Sequence, residues 1–295
     1  MTKTVLGIIG GSGVYDLPGL EKTRTERIHT PWGEPSDELG FGEIDGLPLV
    51  FLPRHGRGHR LGPSQINYRA NIDALKRAGV TDLVSVSACG SFREELSPGT
   101  LVLVDQFIDR TFAREKSFFG PGCVAHVAFA DPVSPGLADR IETAAKSEEL
   151  DYKRGGTYLV MEGPQFSTRA ESDLYRSWNC DVIGMTNMPE AKLAREAEIC
   201  YATLALVTDY DCWHESHADI DIEVLLKTLH DNVEKATRLI GRLARDMPRE
   251  HEPCPIGSDR ALEVAIITAP EARDPELLRK LDAVAGRVLQ GGAGQ

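Results

Sequence analysis

The sequence predicts an α/β fold with a central mixed, largely parallel β-sheet flanked by helices. Seven short runs carry apolar and β-branched residues at consecutive positions, which is typical of strands buried on both faces. Between these runs apolar residues recur at a helical period, and strands that alternate with helices favour a parallel sheet. No internal repeat or low-complexity tract interrupts the pattern.

The predicted elements follow in order along the chain. Strands are expected at 4–9, 47–53, 81–88, 99–108, 156–162, 180–186 and 201–207. Helices are expected at 67–79, 135–150, 167–178 and 188–199, with one long amphipathic helix at 219–247. The Pro-rich, charged stretch 248–260 is typical of a linker, "LEVAIIT" predicts another strand, and "DPELLRKLDAVAGRVL" predicts a last helix before a frayed "GGAGQ". We therefore expect a main domain over 1–247 and a C-terminal extension over 248–295, packed on that domain or at a subunit interface.

Charge and composition argue against several kinds of partner. The 295 residues carry a net charge of −12, whereas nucleic acids and anionic membranes are bound by basic surfaces. A small anionic substrate in a local basic pocket remains compatible with this charge. No apolar run approaches the roughly 20 residues that cross a bilayer, and the N-terminus lacks a signal-peptide pattern, so we expect a cytoplasmic protein. The six cysteines form no CxxC pair, so neither a zinc site nor a redox motif is indicated.

Two segments could bind an anion. In "GIIGGSGVYD" (7–16) a glycine-rich turn follows a strand and presents Ser12, although the dinucleotide fingerprint and the Walker lysine are both absent. In "LPRHGRGHR" (52–60) the basic residues Arg54, His55, Arg57, His59 and Arg60 follow an apolar strand. Arginine matches phosphate oxygens with its rigid fork. A tight turn and a solvated basic loop are the alternative interpretations.

Three further segments follow predicted strands. In "SVSACGSFREE" the small residues Ser87 and Ala88 could turn backbone amides toward a ligand, whereas Cys89 is more often core filler than nucleophile. In "MEGPQFSTRAES" Ser167 or Thr168 could cap a helix, and Phe166 could be core. In "TDYDCWHESH" (208–217) two aspartates and an HxxH spacing end a buried strand, which allows a metal site, catalytic carboxylates or a solvated loop.

Nine segments in one order resemble the methylthioadenosine phosphorylase branch of the purine nucleoside phosphorylase family. They are "IIGGSG", "TPWGEPSD", "PRHGRGH", "NYRANI", "ACGSFREE", "DQFIDRT", "EGPQFSTRAES", "GMTNMPEAKLAREA" and "YATLALVTDYDCW". The resemblance covers residues 5–213, extends through the long helix to about 245 and weakens after about 248. It implies a phosphorylase/hydrolase-like fold, usually a trimer, here possibly a dimer of trimers. The reaction it implies is phosphorolysis of a purine nucleoside, with inorganic phosphate as co-substrate, no cofactor and no metal.

The resemblance also assigns roles to individual residues. The implied phosphate-binding residues are Ser12, Arg54, His55, Ser87, Ala88 and Thr186. The implied substrate-binding residues are Phe166, Ser167, Met185, Ile222, Leu225, Leu226 and His126, the last entering from a neighbouring subunit. Asp209 and Asp211 are the expected catalytic carboxylates. Asp209, if burial or its neighbour raises its pKa, would donate to purine N7 while the pair reads a 6-amino group.

One position departs from the family pattern. Gly184 stands where better-known members carry asparagine, and a glycine there is closer to methylthioinosine-type relatives. The related branch that cleaves 6-oxopurine nucleosides usually carries asparagine at the Asp209 position. A phosphorylase for 6-oxopurine nucleosides therefore stays open as an alternative. A metal-dependent nucleoside hydrolase using Asp209, Asp211, His214 and His217, and a non-catalytic purine-binding protein, are the more distant alternatives.

Overall fold

The structure is a computed structural model that describes residues 2–11, 17–214 and 222–290, without the side chains of 222–225 and 290. The strands are β1 (Leu6–Gly10), β2 (Glu21–Glu26), β3 (Leu39–Ile44), β4 (Leu47–Pro53), β5 (Asp82–Ser91), β6 (Leu101–Val104), β7 (Gln106–Arg110), β8 (Tyr152–Arg154), β9 (Thr157–Met161), β10 (Val182–Gly184) and β11 (Cys200–Tyr210). The helices are α1 (Tyr68–Arg77), α2 (Pro135–Ser147), α3 (Arg169–Ser177), α4 (Asn187–Glu196), α5 (Ile222–Asp246), α6 (Pro275–Lys280) and α7 (Asp282–Gln290).

These strands form one mixed sheet in which β5 is the central strand. The sheet runs β2-β3-β4-β1-β5-β10-β9-β7, while β11 pairs with β5 and β6, and β6 pairs with β8. Strand β5 is parallel to β1 and β11 and antiparallel to β10. The mixed sheet and its flanking helices confirm the predicted α/β class.

The core lies on both faces of the sheet. Successive residues of β1 alternate between two clusters: Ile9 packs in the layer under α1, α4 and α7, and Ile8 in the layer under α2 and α5. This two-sided burial explains the consecutive apolar residues of the strand sequences. In the part of the chain that the structure describes, no helix is both long enough and apolar enough to span a bilayer.

The structure corrects several predicted elements. The strand expected at 99–108 is two strands, because the backbone leaves one neighbour at Asp105: β6 pairs with β11, and β7 pairs with β9. Asp105 Oδ1 accepts a hydrogen bond from the Gly156 amide at 3.1 Å, which fixes this switch. The short strands β2, β3 and β8 were not predicted. Strand β2, "EKTRTE", is exposed at every position, so it lacks the apolar pattern that identifies a strand.

The C-terminal extension packs on the same core. Leu281, Val284 and Ala285 join the layer that contains α1 and α4. In the stretch expected to be a linker, His251 Nδ1 lies 3.0 Å from Asp82 Oδ2. The strand predicted from "LEVAIIT" is wrong: this segment forms turns, with a single bridge between Ala125 and Ile266. Its apolar residues Val264 and Ile267 are 94% and 63% exposed, so apolar character alone misled the prediction.

Candidate active site

A cavity of about 490 Å³ opens where β5, β10 and β11 end. This is the edge at which ligand sites gather in α/β sheets. Its lining includes most of the residues that the sequence analysis singled out: Arg54, His55, Ser87, Ala88, Phe166, Met185, Thr186, Asp209 and Asp211. The structure therefore brings together side chains that are as far as 157 residues apart in sequence, from Arg54 to Asp211.

A β-bulge in β11 turns both aspartates toward this cavity. Val207 pairs with Cys89 and Asp209 with Gly90, so Thr208 is an extra residue in the ladder. In a regular strand Thr208 and Asp209 would point to opposite faces. The bulge re-aims the chain, and Thr208, Asp209 and Asp211 all line the cavity.

Arg54 lies at one end of the cavity, where it is held from behind by a carboxylate. Its side chain is 2% exposed, and Nε and Nη2 donate to the two Glu190 oxygens at 2.7 and 3.1 Å. Nη2 also donates to Ser85 Oγ at 2.6 Å and Nη1 to the Val86 carbonyl at 3.0 Å. Glu190 thus occupies the Nε–Nη2 edge of the guanidinium, which was expected to bind phosphate. The guanidinium can offer an anion one remaining Nη1 N–H.

His55, beside Arg54, is a neutral imidazole. Burial, reinforced by the Arg54 charge, lowers the pKa of His55 to about 4. Its Nδ1 lies 2.8 Å from the Leu61 carbonyl, so this nitrogen carries the proton and donates. The other nitrogen, Nε2, is then an acceptor. The ring of His59 stacks on the ring of His55, with the two centroids 4.1 Å apart.

Hydroxyl groups and a backbone segment continue this end of the cavity. Ser87 Oγ lies 3.4 Å from Thr186 Oγ1, and both residues are buried. Ala88, the next residue of β5, is exposed to the cavity. Together with Arg54 and His55 these groups form a polar pocket with several donors, as an oxyanion requires.

Asp209, at the opposite end of the cavity, has a raised pKa. Burial is the main cause that raises the pKa of Asp209 to about 6, and the neighbouring Asp211 contributes. The Thr208 hydroxyl donates to Asp209 Oδ1 at 2.7 Å and partly offsets this shift. A carboxyl group with such a pKa can carry a proton near neutral pH and donate it.

Asp211 is an acceptor held by a hydroxyl group. Ser167 Oγ lies 2.8 Å from both oxygens of the Asp211 carboxylate and donates to them. Phe166, immediately before this serine, is 62% exposed and lines the cavity with its ring. The segment is fixed by a capping box between Thr168 and Glu171 at the start of α3, as the sequence pattern indicated.

Met185 is positioned by a buried arginine that the sequence analysis did not identify. The side chain of Arg114 is 1% exposed, and its guanidinium donates to the carbonyls of Met185, Met188 and Glu162 at 2.6, 2.7 and 2.6 Å. These bonds tie the turn after β9 to the turn after β10. The backbone of the cavity wall at Met185 is therefore held in place by hydrogen bonds from a buried guanidinium.

Several predicted site residues lie elsewhere or outside the described residues. Ser12 and His217 fall in undescribed segments, and the side chains of Ile222 and Leu225 are not described. Leu226 is 57% exposed and does not line the cavity. On the next turns of α5, Leu229 and Val233 do line it, so the apolar wall continues one to two turns beyond the predicted residues.

The residues of the predicted basic cluster do not all lie together in the structure, and neither do those of the alternative metal site. Arg57 pairs with Asp37 at 3.1 Å on the surface, away from the cavity. His214 Nε2 lies 3.3 Å from Glu94, and its ring stacks on Tyr210. Within the described ranges, no three His, Cys, Asp or Glu side chains are grouped as metal ligands. Burial raises the pKa of the Cys89 thiol well above its usual value, which disfavours a thiolate nucleophile.

His126 lies away from the cavity of its own chain. It is exposed, and its backbone amide donates to the Ala265 carbonyl at 2.9 Å. The exposed residues Val264 and Ile267 flank this contact. Whether a neighbouring subunit receives His126 therefore stays a prediction.

Glu190 is the functional-site residue with the clearest missed signal. It lies on α4 among fully buried residues such as Ala191 and Ala194. A carboxylate on the apolar side of a predicted helix must have a cationic partner, since a buried unpaired charge is very costly. Leu229 and Val233 carry no comparable signal, because apolar side chains on a predicted helix cannot be told from ordinary core residues.

Comparisons with known proteins agree on one family. The phosphorylase superfamily model matches residues 5–245. An S-methyl-5'-thioadenosine phosphorylase of Bradyrhizobium diazoefficiens is 68% identical over 99% of this chain and 100% of its own length. A methylthioadenosine phosphorylase from an Antarctic soil metagenomic library has a structure with a TM-score of 0.88 and 46% identity, covering 96% of this chain and 99% of its own. A Schistosoma mansoni methylthioadenosine phosphorylase in complex with adenine has a TM-score of 0.82 and 34% identity, covering 88% and 97%.

The raised pKa of Asp209 predicts a pH-dependent effect of Asp209→Asn on stability. The pKa of Asp209 in the folded protein, about 6, lies above the ordinary 3.8. The stability that the protonated carboxyl contributes is therefore fully present below pH 3.8 and is lost as the pH rises to 6. The variant avoids this loss. It should gain up to about 3 kcal/mol over wild type at pH 8 and almost nothing at pH 4.

Urea unfolding of both proteins at pH 4, 6 and 8 measures this difference. Asp173→Asn, on the exposed side of α3, is the matched control and should show no such trend. A constant difference between wild type and Asp209→Asn across this range would contradict the assignment of the shift to Asp209.

Proposed function

This chain belongs to the phosphorylase superfamily, and we propose that it catalyses the phosphorolysis of S-methyl-5'-thioadenosine to adenine and 5-methylthioribose 1-phosphate. It is a pentosyltransferase of the purine nucleoside phosphorylase type, which returns purine and methylthioribose to salvage. The observation that carries this assignment is that one cavity is lined both by the donors Arg54 and Ser87 and by the carboxylates Asp209 and Asp211. Inorganic phosphate is the co-substrate, and no further cofactor is invoked.

In the proposed reaction, the polar end holds phosphate against C1' of the sugar. The Arg54 N–H group and the hydroxyls of Ser87 and Thr186 donate to phosphate oxygens, and Ser12 is expected to join them. Neutral His55 can accept a hydrogen bond from a protonated phosphate oxygen through Nε2. Holding the two reactants in contact replaces a bimolecular encounter, which lowers the entropic part of the barrier.

The carboxylate end stabilises the leaving purine. As the C1'–N9 bond breaks, its electron pair moves into the purine ring, and a phosphate oxygen forms the new bond to C1'. The developing negative charge is relieved if N7 takes a proton or a strong hydrogen bond. Asp209, with its pKa near 6, supplies that proton, and Asp211 accepts from the 6-amino group.

The cavity wall supports a substrate with an apolar 5' group. Leu229 and Val233 of α5 and Pro63 line this region. Burying a 5'-hydroxyl without a partner costs about 1–3 kcal/mol, so the wall favours a methylthio group over the hydroxyl of adenosine. It discriminates weakly between methylthio and methyl, and 5'-deoxyadenosine is therefore a possible second substrate.

Release of adenine should require both protein and phosphate. We expect adenine to form from S-methyl-5'-thioadenosine in phosphate buffer, with 5-methylthioribose 1-phosphate in equal amount, and no release in a phosphate-free buffer. Exhaustive chelation should leave the rate unchanged. Chromatography of both products checks this, and adenine release without phosphate, or loss of activity on chelation, would favour a hydrolase instead.

Asp209→Asn should also change the choice of purine. The amide can donate but cannot transfer a proton, so kcat for S-methyl-5'-thioadenosine should fall about 10²- to 10⁴-fold. A 6-oxopurine analogue, methylthioinosine, should lose much less. The ratio of kcat/KM for the two substrates measures the effect, with Asp173→Asn as control, and an unchanged ratio would remove the proposed role of Asp209.

The enzyme is expected to act as a cytoplasmic homotrimer, with a dimer of trimers as the larger possibility. The support is the resemblance together with exposed apolar residues beside His126: Val264 is 94% and Ile267 63% exposed. Light scattering of the purified protein should give three or six chains. His126→Ala should leave that mass unchanged and raise KM for the nucleoside, whereas a monomer of full activity would exclude a role for a neighbouring His126.

A further inference from the structure

A buried tyrosine lies directly behind the polar end of the cavity. Tyr158, on β9, has no exposed surface, and its hydroxyl lies 3.0 Å from Ser87 Oγ. Ser87 Oγ in turn lies 3.4 Å from Thr186 Oγ1. Three hydroxyl groups therefore form a chain from the interior of the protein to the cavity, and only the last two line it.

The direction of the first hydrogen bond follows from the surroundings of Tyr158. Burial raises the pKa of the Tyr158 phenol well above its usual value, so it keeps its proton. Among the residues described, Ser87 Oγ is the hydrogen-bond partner of this hydroxyl. A buried O–H donor without an acceptor is costly, so Tyr158 donates to Ser87. Ser87 Oγ then has the Ala88 carbonyl at 3.3 Å and Thr186 Oγ1 at 3.4 Å as acceptors for its own proton. Both contacts are long, so a ligand oxygen in the cavity can take this hydrogen bond instead.

Gly184 makes the position of Tyr158 possible. A Cβ atom added at residue 184 would lie 1.8 Å from the Tyr158 hydroxyl oxygen and 2.7 Å from Cζ. Both distances are far inside van der Waals contact. Gly184 is absent from the residues with positive φ, so its backbone conformation alone would accept a side chain. The tyrosine is what requires a glycine there.

We propose that Tyr158 is a positioning residue for the phosphate end of the site, and that the glycine at position 184 provides the space that its hydroxyl occupies. This inference deepens the proposed phosphorolysis. The tyrosine hydroxyl holds Ser87 Oγ as an acceptor and thereby turns the serine proton toward a phosphate oxygen. The departure of Gly184 from the family pattern then concerns the anion end of the cavity, whereas Asp209 and Asp211 read the purine.

The decisive variant is Tyr158→Phe, which keeps the ring and removes the hydroxyl. We expect KM for phosphate to rise about 5- to 20-fold, the cost of one misdirected hydrogen bond, while KM for the nucleoside changes less than about 2-fold. Tyr152→Phe is the matched control, since it removes a hydroxyl that bonds Glu142 at 2.9 Å on another part of the sheet. Equal changes in both KM values, or none, would overturn the proposal.

A double-mutant cycle tests whether Tyr158 acts through Ser87. In a Ser87→Ala background, Tyr158→Phe should have almost no additional effect on KM for phosphate, because the group that it orients is gone. Effects that multiply would show that the tyrosine acts elsewhere. The phosphate-induced rise in Tm of the same four proteins gives a readout without turnover. It separates this proposal from the proposed activity, since phosphate binding can weaken in Tyr158→Phe even if the nucleoside is not cleaved.

A second pair of variants tests the steric part. Gly184→Ala should lower Tm strongly in the wild-type background and less in a Tyr158→Leu background, where the ring no longer fills the space. An equal loss of Tm in both backgrounds would mean that Tyr158 is not what requires a glycine at position 184.

Discussion

The parallel pairing of β5 with β11 is the constraint on which the site depends. The two strands pair from Asp82 with Cys200 through Ser91 with Tyr210. Their carboxyl ends therefore leave the sheet side by side, with Ser87 and Ala88 on one strand and Asp209 on the other. The proposed reaction, with phosphate at one end of the cavity and a purine at the other, needs these two sets of groups at a fixed separation, and hydrogen-bonded strands supply it.

The bulge at Thr208 completes this constraint. Regular alternation would place one of Thr208 and Asp209 in the opposite layer of the core. The bulge brings both to the cavity, so Asp209 is buried enough to have a raised pKa but still lines the cavity. The effect depends on the Thr208 hydroxyl, which donates to Asp209 and limits the shift.

Charge is arranged differently at the two ends. Arg54 is fully buried and would be intolerable alone, so Glu190 neutralises it and Tyr201 donates to the same carboxylate at 2.9 Å. Breaking such a pair by removing one partner is far more costly than the pair itself is stabilising. An acidic protein can thus keep a cation in its core, and the proposed phosphate end of the cavity offers directed N–H and O–H groups more than net positive charge.

The sequence predicted those parts of the fold and the site whose physical signal is local. Apolar strands such as β4 and the capping box at Thr168 are local patterns, and so is a basic residue such as Arg54 after a buried strand. Strand β2 has no apolar face and could not be identified. Arg57 looked equivalent to Arg54, but only the contact with Asp37, which is distant in sequence, shows that it faces the surface.

The remaining site residues could not be predicted because they act through partners distant in sequence. Tyr158 reads as an ordinary buried strand residue until the 3.0 Å contact with Ser87 is known. From the sequence alone, Gly184 suggests a change in the packing around the base. The structure shows instead that the space its Cβ would need holds the tyrosine hydroxyl. The role of each residue therefore becomes evident only when its contact with the other is known. Tyr158 of β9 pairs with Val182 of β10, so Gly184, two residues further along β10, is its diagonal neighbour on the same face of the sheet. The pairing of these two strands therefore brings the two residues together.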